Sequence, residues 1–326
     1  MGPRRRLIIG AALAAACVAG WLAVPRRFEV EGVSMGPGLL PGDVVRTGPF
    51  PALDRLRRPR RFERWVLAAT DALAIKRVVG LPGEEVSLVE GDLAIDGTVV
   101  LEGPRLLAEI GSVVPDEAPE GPPAAEAGWA WSRPAGEVLA DAAFDGGATR
   151  VLAVVCDVGL AAVVDVRSAA AATPAAVRIR VGETVATRPL TTPGRHAVVA
   201  GRLDGRFVLA TWRVPPAAAV STSRSCLPVA APEAWLVAVP WPGPTGDDTA
   251  PALAIDGDDR VTVAEVTRWR DVAWRPGADG RASWTLAADE ILVLGDHPAA
   301  SNDSRRWGPI KATSLRHRIV TRSPSW

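Results

Sequence analysis

LAIKRVVGLPGE, residues 73–84, places a lysine in the middle of an apolar, β-branched run, which predicts a buried strand that ends at a Gly/Pro turn. The chain has 37 Lys and Arg residues, and only Lys76 and Lys311 are lysine. Burial disfavours a charged amine, so this strand should lower the pKa of Lys76. A desolvated lysine can lose its proton and act as a general base, whereas arginine cannot. The alternative is a lysine at a strand edge whose amine reaches water.

Length and charge set the broad class of the protein. A chain of 326 residues can hold two domains, each with its own core. Its 37 basic side chains balance 37 acidic ones, so no overall field favours nucleic acid, and we expect none as a partner. The three cysteines show no CxxC spacing or Cys/His cluster, and we expect no metal and no cofactor. Cys156 and Cys226 could form a disulfide in an oxidising compartment, which spacing alone does not decide.

An uncharged run at the N-terminus predicts a membrane anchor. Three arginines, residues 4–6, precede the run 7–24, and Pro25, Arg26 and Arg27 close it. Eighteen helical residues would extend about 27 Å, close to the ~30 Å apolar core of a bilayer. The arginine balance favours a single-pass protein of the plasma membrane with the rest of the chain on the extracytoplasmic side. The alternatives are a cleavable signal peptide and a lipoprotein-like site at Cys17.

A serine follows the anchor at the end of a short strand pattern. In FEVEGVSMGPGLLPGDVV, residues 28–45, Ser34 begins a Gly/Pro-rich loop, which exposes the backbone around a possible nucleophile. A plain turn serine is the alternative. Only residues 25–33 separate Ser34 from the anchor, a reach of at most about 30 Å, so its chemistry should occur near the bilayer surface. The arginine-rich segment 55–64 could contact anionic lipid there, or form a solvated loop.

Three blocks of sequence resemble one family of proteases. The blocks are Ser34-Met35-x-Pro37 with Gly42-Asp43, the segment 76–84, and the segment GDHPAASNDSRRWGP at 295–309. In this order behind an N-terminal anchor, they resemble the type I signal peptidases, which are membrane-anchored serine proteases. The two segments that contain these blocks, 28–104 and 286–326, cover about 120 residues and leave the middle of the chain unexplained.

The resemblance implies a role for each matching residue. Ser34 would be the nucleophile and Lys76 the general base that accepts its proton. Ser301 would orient the Lys76 amine, and an Asp303–Arg305 ion pair would fix the loop. The remaining matches are assigned to the substrate-side loops: Met35, Pro37, Gly295 and Asp296. A serine needs a nearby base that a third group orients, and Lys76 can be that base only if Asp303 is neutralised elsewhere.

Three positions depart from the family pattern, and one of them is Gly38, which replaces a threonine after Pro37. Gly32 stands where some members carry a hydroxyl that stabilises the oxyanion, which leaves the backbone N–H of Ser34 as the one assigned donor. His297 replaces an asparagine and permits a Ser/His alternative, although no carboxylate in the motif would orient it.

Between the blocks, short β-like runs alternate with turn signals, which predicts an inserted antiparallel sandwich. The predicted runs are 151–155, 161–166, 177–181, 196–200, 207–212, 235–239 and 261–266, with a linker at 114–128. The pattern loosely resembles concanavalin or laminin-G sandwiches. Residues 256–259 lack the spacing of a calcium loop. Trp269 and Trp274 are either a carbohydrate platform or, more commonly, core aromatics.

We therefore expect a mainly β protein: an anchor at 1–27, an antiparallel catalytic domain in two parts, 28–104 and 286–326, and an inserted domain at 105–285. The expected function is removal of signal peptides from exported preproteins, with membrane lipid as a second partner and the ligand of the insertion unknown. One alternative is a Ser/Lys peptidase with another substrate, as in self-cleaving repressors. The other is a membrane-tethered binding protein with an inactive protease shell.

Overall fold

The computed structural model describes residues 24–68, 72–114, 128–132, 155–167, 174–216, 225–228, 230–242, 251–276 and 280–323. The predicted anchor therefore falls almost entirely outside the described residues, as do most of the predicted linker and residues 151–154. Within these ranges, no helix has the length and apolar character needed to cross a membrane.

A seven-stranded antiparallel sheet contains the strands that include or flank the three sequence blocks. Its strands, in chain order, are β1 (Arg27–Glu29), β2 (Val44–Thr47), β3 (Arg64–Ala68), β4 (Leu73–Gly80), β19 (Glu290–Leu294), β20 (Ile310–Lys311) and β21 (Leu315–Ser323). Their spatial order is β1-β2-β21-β3-β4-β19-β20. The predicted lysine strand β4 is thus central, between β3 and β19, so an N-terminal and a C-terminal segment of the chain are paired through it.

Two stacked sheets form the β-rich middle of the chain. One contains β15 (Val237–Pro240), β14 (Arg206–Arg213), β13 (Gly194–Leu203), β10 (Val158–Val166), β17 (Val261–Arg270) and β8 (Ser112–Val114), in that spatial order. The other contains β12 (Thr184–Leu190), β11 (Ala175–Val181), β16 (Leu253–Gly257) and β9 (Trp129–Trp131). Apolar side chains of both sheets share one core, which contains Leu160, Val177, Ile179, Val198 and Ile255. The predicted sandwich architecture is therefore present, whereas its likeness to concanavalin or laminin-G folds stays a prediction.

A small sheet and a short helix join these parts. The sheet contains β18 (Ser283–Thr285), β5 (Glu85–Val89), β6 (Asp92–Ile95) and β7 (Thr98–Val99), and helix α1 (Pro104–Ile110) follows β7. Val79 of β4, Ile110 of α1, Trp274 and Leu292 of β19 belong to one buried cluster. This cluster fixes the small sheet and α1 against the strands that carry Lys76 and the C-terminal block. A second helix, α2 (Ser304–Trp307), lies within that block.

Glycines allow a tryptophan to cross the strands of the sandwich. Gly159 on β10 pairs with Gly201 on β13 and, on its other side, with Trp269 on β17. A Cβ at either glycine would overlap the indole of Trp269, which is completely buried and donates from Nε1 to Leu160 O at 3.1 Å. Trp274 is buried as well, so the core interpretation of both tryptophans is confirmed and the carbohydrate platform is wrong.

Residues 203–206 form a hairpin turn. Strands β13 and β14 pair from Leu203 and Arg206 outward, and Asp204 and Gly205 at the turn both have positive φ, 49° and 67°. Two adjacent positive φ angles are the geometry of the turn that suits a twisted hairpin. Cys156 and Cys226 are not joined by a disulfide, and Cys226 Sγ contacts Leu107 O at 3.4 Å.

Candidate active site

A compact loop between β1 and β2 holds Ser34. Val30 and Asp43 close the base of the loop through a backbone hydrogen bond of 2.8 Å, and Gly42 N donates to Val30 O at 2.7 Å. Met35 and Leu39 are buried beneath the loop and belong to one apolar cluster with Val45. The loop is therefore anchored by its own core, which leaves Ser34 half-buried at a fixed position.

Lys76 reaches Ser34 from strand β4. Its Nζ donates to Ser34 Oγ at 2.8 Å, and the lysine is only 4% exposed. Burial lowers the pKa of Lys76, while the negative charges of Asp303 and Asp296 partly oppose that effect. A neutral amine is therefore favoured more strongly here than for a lysine in water. The expectation that an amine on this strand would be desolvated is confirmed, and the alternative of a solvated edge lysine is wrong.

A buried ion pair takes up the nearest carboxylate. Arg305 donates from Nε to Asp303 Oδ1 at 2.9 Å and from Nη2 to Asp303 Oδ2 at 2.7 Å. Asp303 also accepts from Gly295 N at 2.9 Å and caps helix α2 through Arg305 N. Burial raises the pKa of Asp303, but the hydrogen bonds and charge of Arg305 outweigh it, and the net pKa is lowered. Asp303 is thus held as a carboxylate by Arg305 rather than by Lys76.

A second buried ion pair lies next to the first, and the sequence analysis did not assign it. Arg77 contacts Asp296 with Nε to Oδ1 and Nη2 to Oδ2, both at 2.7 Å. Arg77 also donates to Phe62 O at 2.7 Å and to Glu109 of α1 at 3.2 Å. Asp296, predicted as a substrate-side residue, is therefore a structural link between β4 and the C-terminal block. The one sequence signal for this pair is the arginine beside Lys76 in an apolar run, and that signal does not identify its partners.

Gly295 allows two backbone segments to meet at the site. A Cβ on Gly295 would overlap Ser301 Oγ and would lie 2.5 Å from Ser34 O. The carbonyl of Ser34 accepts from His297 N at 3.0 Å, and Gly295 O accepts from the indole of Trp274 at 3.1 Å. The C-terminal block is therefore bound directly to the Ser34 loop.

The Ser301 hydroxyl lies close to this centre, next to Gly295 and Asp303. Its Oγ is buried and has no hydrogen-bond partner among the described residues, although it adds to the interactions that lower the Asp303 pKa. Ser301 packs against Gly295, whereas the hydrogen bond of Lys76 Nζ goes to Ser34 Oγ. Its role in orienting Lys76 stays a prediction.

The remaining predicted loop residues lie on either side of Ser34. Met35 is 1% exposed, so its side chain belongs to the core and not to a substrate surface. Pro37 lines a narrow pocket together with Ile110, His297, Pro298 and Ala299. At Gly32 nothing lies within 4 Å of the position a Cβ would take, so the space beside the serine is open there.

A serine hydroxyl in hydrogen-bond contact with a buried amine has the nucleophile and the base that acyl transfer needs, and Ser34 and Lys76 are in this contact. The sequence profile of signal peptidase, peptidase S26, matches residues 4–117 and 258–323, and the chain belongs to this family. The part between the two matches, 118–257, contains strands β9 to β16 of the stacked sheets. A search of curated proteins found no match.

Proposed function

We propose that the protein is a membrane-bound endopeptidase that removes N-terminal signal peptides from exported preproteins. Membership of the signal peptidase family supports the class, and the 2.8 Å contact between Lys76 Nζ and Ser34 Oγ is the observation that carries the mechanism. The short connection from the predicted anchor to Ser34 supports cleavage at the outer surface of the membrane.

Ser34 and Lys76 together can perform acyl transfer without a cofactor. As Ser34 Oγ attacks the carbonyl carbon of the scissile bond, neutral Lys76 Nζ accepts the hydroxyl proton. The resulting ammonium returns that proton to the leaving amine, which releases one product and leaves an ester on Ser34. Water activated by Lys76 then hydrolyses the ester and restores the serine.

Buried ion pairs keep the base available for this cycle. If Asp303 were not paired with Arg305, it would hold Lys76 as an ammonium ion, which cannot accept a proton. The backbone N–H of Ser34 is the proposed donor to the oxyanion, since Gly32 supplies no hydroxyl. The family resemblance implies small side chains, such as alanine, one and three positions before the cut, and the narrow pocket beside Pro37 is compatible with them.

The assignment is tested with a preprotein that carries an Ala-x-Ala site. We expect Ser34→Ala and Lys76→Ala each to lower cleavage by at least about 10³-fold, because each removes one half of an acting pair. Lys311→Ala is the matched control, since Lys311 is the other lysine and its amine forms ion pairs with Asp289 and Glu290, away from Ser34. Cleavage retained by both site variants would refute the Ser/Lys assignment. A wild-type chain that binds but never cleaves would favour the binding-protein alternative.

A further inference from the structure

Five acidic side chains meet where the small sheet, the start of α1 and the six-stranded sheet come together. We call them the acid cluster: Asp92, Glu102, Asp157, Asp204 and Asp271. Asp92 begins β6, Glu102 precedes α1, Asp157 precedes β10, Asp204 is in the β13–β14 turn, and Asp271 follows β17. None of them belongs to the proposed catalytic site.

The acid cluster consists of two overlapping groups of three carboxylates. One oxygen from each of Glu102, Asp204 and Asp271 lies within 4.8 Å of the others, and the same holds for Asp92, Asp157 and Asp204. Asp204 is shared by both groups. Convergence of oxygen atoms from five separate segments is a property of the fold and not of local sequence.

The first group is buried and incompletely satisfied. Glu102, Asp204 and Asp271 are 1%, 7% and 4% exposed. Glu102 Oε2, Asp204 Oδ1 and Asp271 Oδ1 are buried atoms without a hydrogen-bond partner among the described residues. A buried polar atom without a partner loses the free energy of its hydration and regains nothing.

Arg202, at the edge of the acid cluster, does not supply the missing hydrogen-bond donor. Arg202 Nε lies 3.6 Å from Asp157 Oδ1, too far for a hydrogen bond, and both atoms are buried without a partner among the described residues. Asp157 belongs to the second group, so this contact provides no hydrogen bond to the three unpartnered carboxylate oxygens of the first group.

Electrostatics agree with a first group that lacks nearby positive charge, whereas in the second group burial raises the pKa values of Asp92 and Asp157 and the charge of Arg202 partly opposes that rise. Burial raises the pKa of Glu102 to about 8, the charge of Asp271 acts in the same direction, and the interaction with the Asp204 carboxyl partly opposes both. Burial likewise raises the pKa values of Asp204 and Asp271 well above the usual range. Such carboxyl groups take up either protons or a cation, because several adjacent buried anions are very costly.

We propose that the acid cluster binds a hard divalent cation, with Ca²⁺ preferred, through Glu102, Asp204 and Asp271, and that Asp92 and Asp157 complete its surroundings. Carboxylate oxygens are the ligands that such ions take, and Ca²⁺ accepts six to eight of them in irregular geometry. Mg²⁺ demands a strict octahedron and keeps several waters, which fits a cluster spread over two carboxylate groups less well. This proposal differs from the expectation from the sequence that the chain has no metal site, and that expectation stays a prediction.

The cation would fasten two parts of the chain together. Asp92, Glu102 and Asp271 lie in the segments that match the peptidase family, whereas Asp157 and Asp204 lie in the part between those segments. The ligands also surround the turn of the β13–β14 hairpin. Binding should therefore stabilise the packing of the inserted sandwich on the peptidase part of the fold, because an ion that binds only the folded state raises its stability.

A neighbouring tryptophan provides a direct readout. The indole of Trp235 donates to the carbonyl of Glu102 at 2.6 Å, so this ring is next to the proposed site. Tb³⁺ is a hard, oxygen-seeking stand-in for Ca²⁺, and its emission is sensitised by a nearby indole. We expect the full-length Ser34→Ala chain, stripped with a chelator, to show saturable Tb³⁺ emission with one ion per chain. Ca²⁺ should displace this ion at lower concentration than Mg²⁺.

Variants separate the acid cluster from other surface acids. Glu102→Gln and Asp271→Asn should each weaken Ca²⁺ binding at least tenfold and remove the rise in Tm that Ca²⁺ gives. Asp259→Asn is the control, since that side chain is 94% exposed on the acidic turn after β16. Because the measurements use an inactive chain, they stand or fall independently of peptidase activity.

The proposal fails if three results coincide for the chain with an unmodified cluster. That chain shows no saturable Tb³⁺ emission, equilibrium dialysis finds no bound Ca²⁺, and Ca²⁺ leaves Tm unchanged in thermal unfolding. The proposal also fails if Asp271→Asn raises Tm without Ca²⁺ while wild type binds none, since the carboxyls would then hold protons. Where a variant does not fold, the dialysis stoichiometry of the Ser34→Ala chain decides the question by itself.

Discussion

At the scale of single residues, Lys76 shows how much of a site one sequence feature can reveal. One of only two lysines in an arginine-rich chain, placed in an apolar strand, predicted a desolvated amine, and the amine is buried against Ser34. The pattern could not reveal Arg77 as a second anchor, because its partners Asp296 and Glu109 are remote in sequence. Nor could it reveal that Met35 is a core residue, since a loop motif carries no burial pattern.

The lowered pKa of Lys76 predicts the pH dependence of cleavage. The base acts when neutral, so kcat/KM should rise with pH and level off above the pKa of Lys76. Because burial lowers that pKa, the plateau should begin below the value of about 10.4 that a solvated lysine shows. The measurement is kcat/KM on a soluble peptide from pH 5 to 10, with Lys311→Ala as control. A flat profile over this range would rule out a lysine base.

Gly295 is the residue at which a single methyl group should disrupt catalysis. In Gly295→Ala the new Cβ would displace Ser301 and the carbonyl of Ser34. A shift of about 1 Å in a reacting group can cost on the order of 10²-fold in rate, and we expect a loss of that size in kcat. Gly32→Ala is the matched control in the same loop region, because its Cβ meets nothing within 4 Å. Equal activity of the two variants would contradict the packing described for Gly295.

At the scale of elements, strands were predicted better than their pairing. The runs around 161–166, 177–181, 196–200, 207–212 and 261–266 lie within β10, β11, β13, β14 and β17. Periodicity and turn residues specify such strands locally. They do not specify that β4 pairs with β19, or that β10 lies between β13 and β17, because those choices depend on packing between distant segments.

The packing of the Trp269 indole on Gly159 and Gly201 leads to a stability prediction for the stacked sheets. In Gly201→Ala the Cβ would lie 2.5 Å from the indole and 2.7 Å from Gly159 Cα, so the variant should lose about 1–3 kcal/mol of unfolding free energy. Urea unfolding measures this loss. Adding Trp269→Phe removes the ring atoms that overlap, so the double variant should be more stable than the sum of the two single losses implies. Strict additivity would show that the strain lies elsewhere.

At the scale of the whole molecule, the resemblance located the peptidase but not how the inserted part is attached. Two family segments enclose 118–257, and the stacked sheets use strands from both sides of that boundary, such as β8 and β17. The junction is marked by buried acids that have no common motif, which is why sequence spacing predicted no metal there. The predicted borders at 104 and 286 are not decided by these sheets and stay predictions.

The predicted anchor should affect where the enzyme works and not its chemistry. The first described pairing, β1 with β2, starts at Arg27, so a chain that begins at Val24 retains every contact of the Ser34 loop given above. We expect this truncated chain to keep kcat/KM on a short peptide within about twofold. On a preprotein held in lipid vesicles its rate should fall at least about tenfold, because tethering raises the local concentration of enzyme at the surface. Detergent should remove the difference between the two chains, since it abolishes the shared surface. If truncated and full-length chains cleave the vesicle-bound preprotein equally, residues 1–23 do not serve as an anchor.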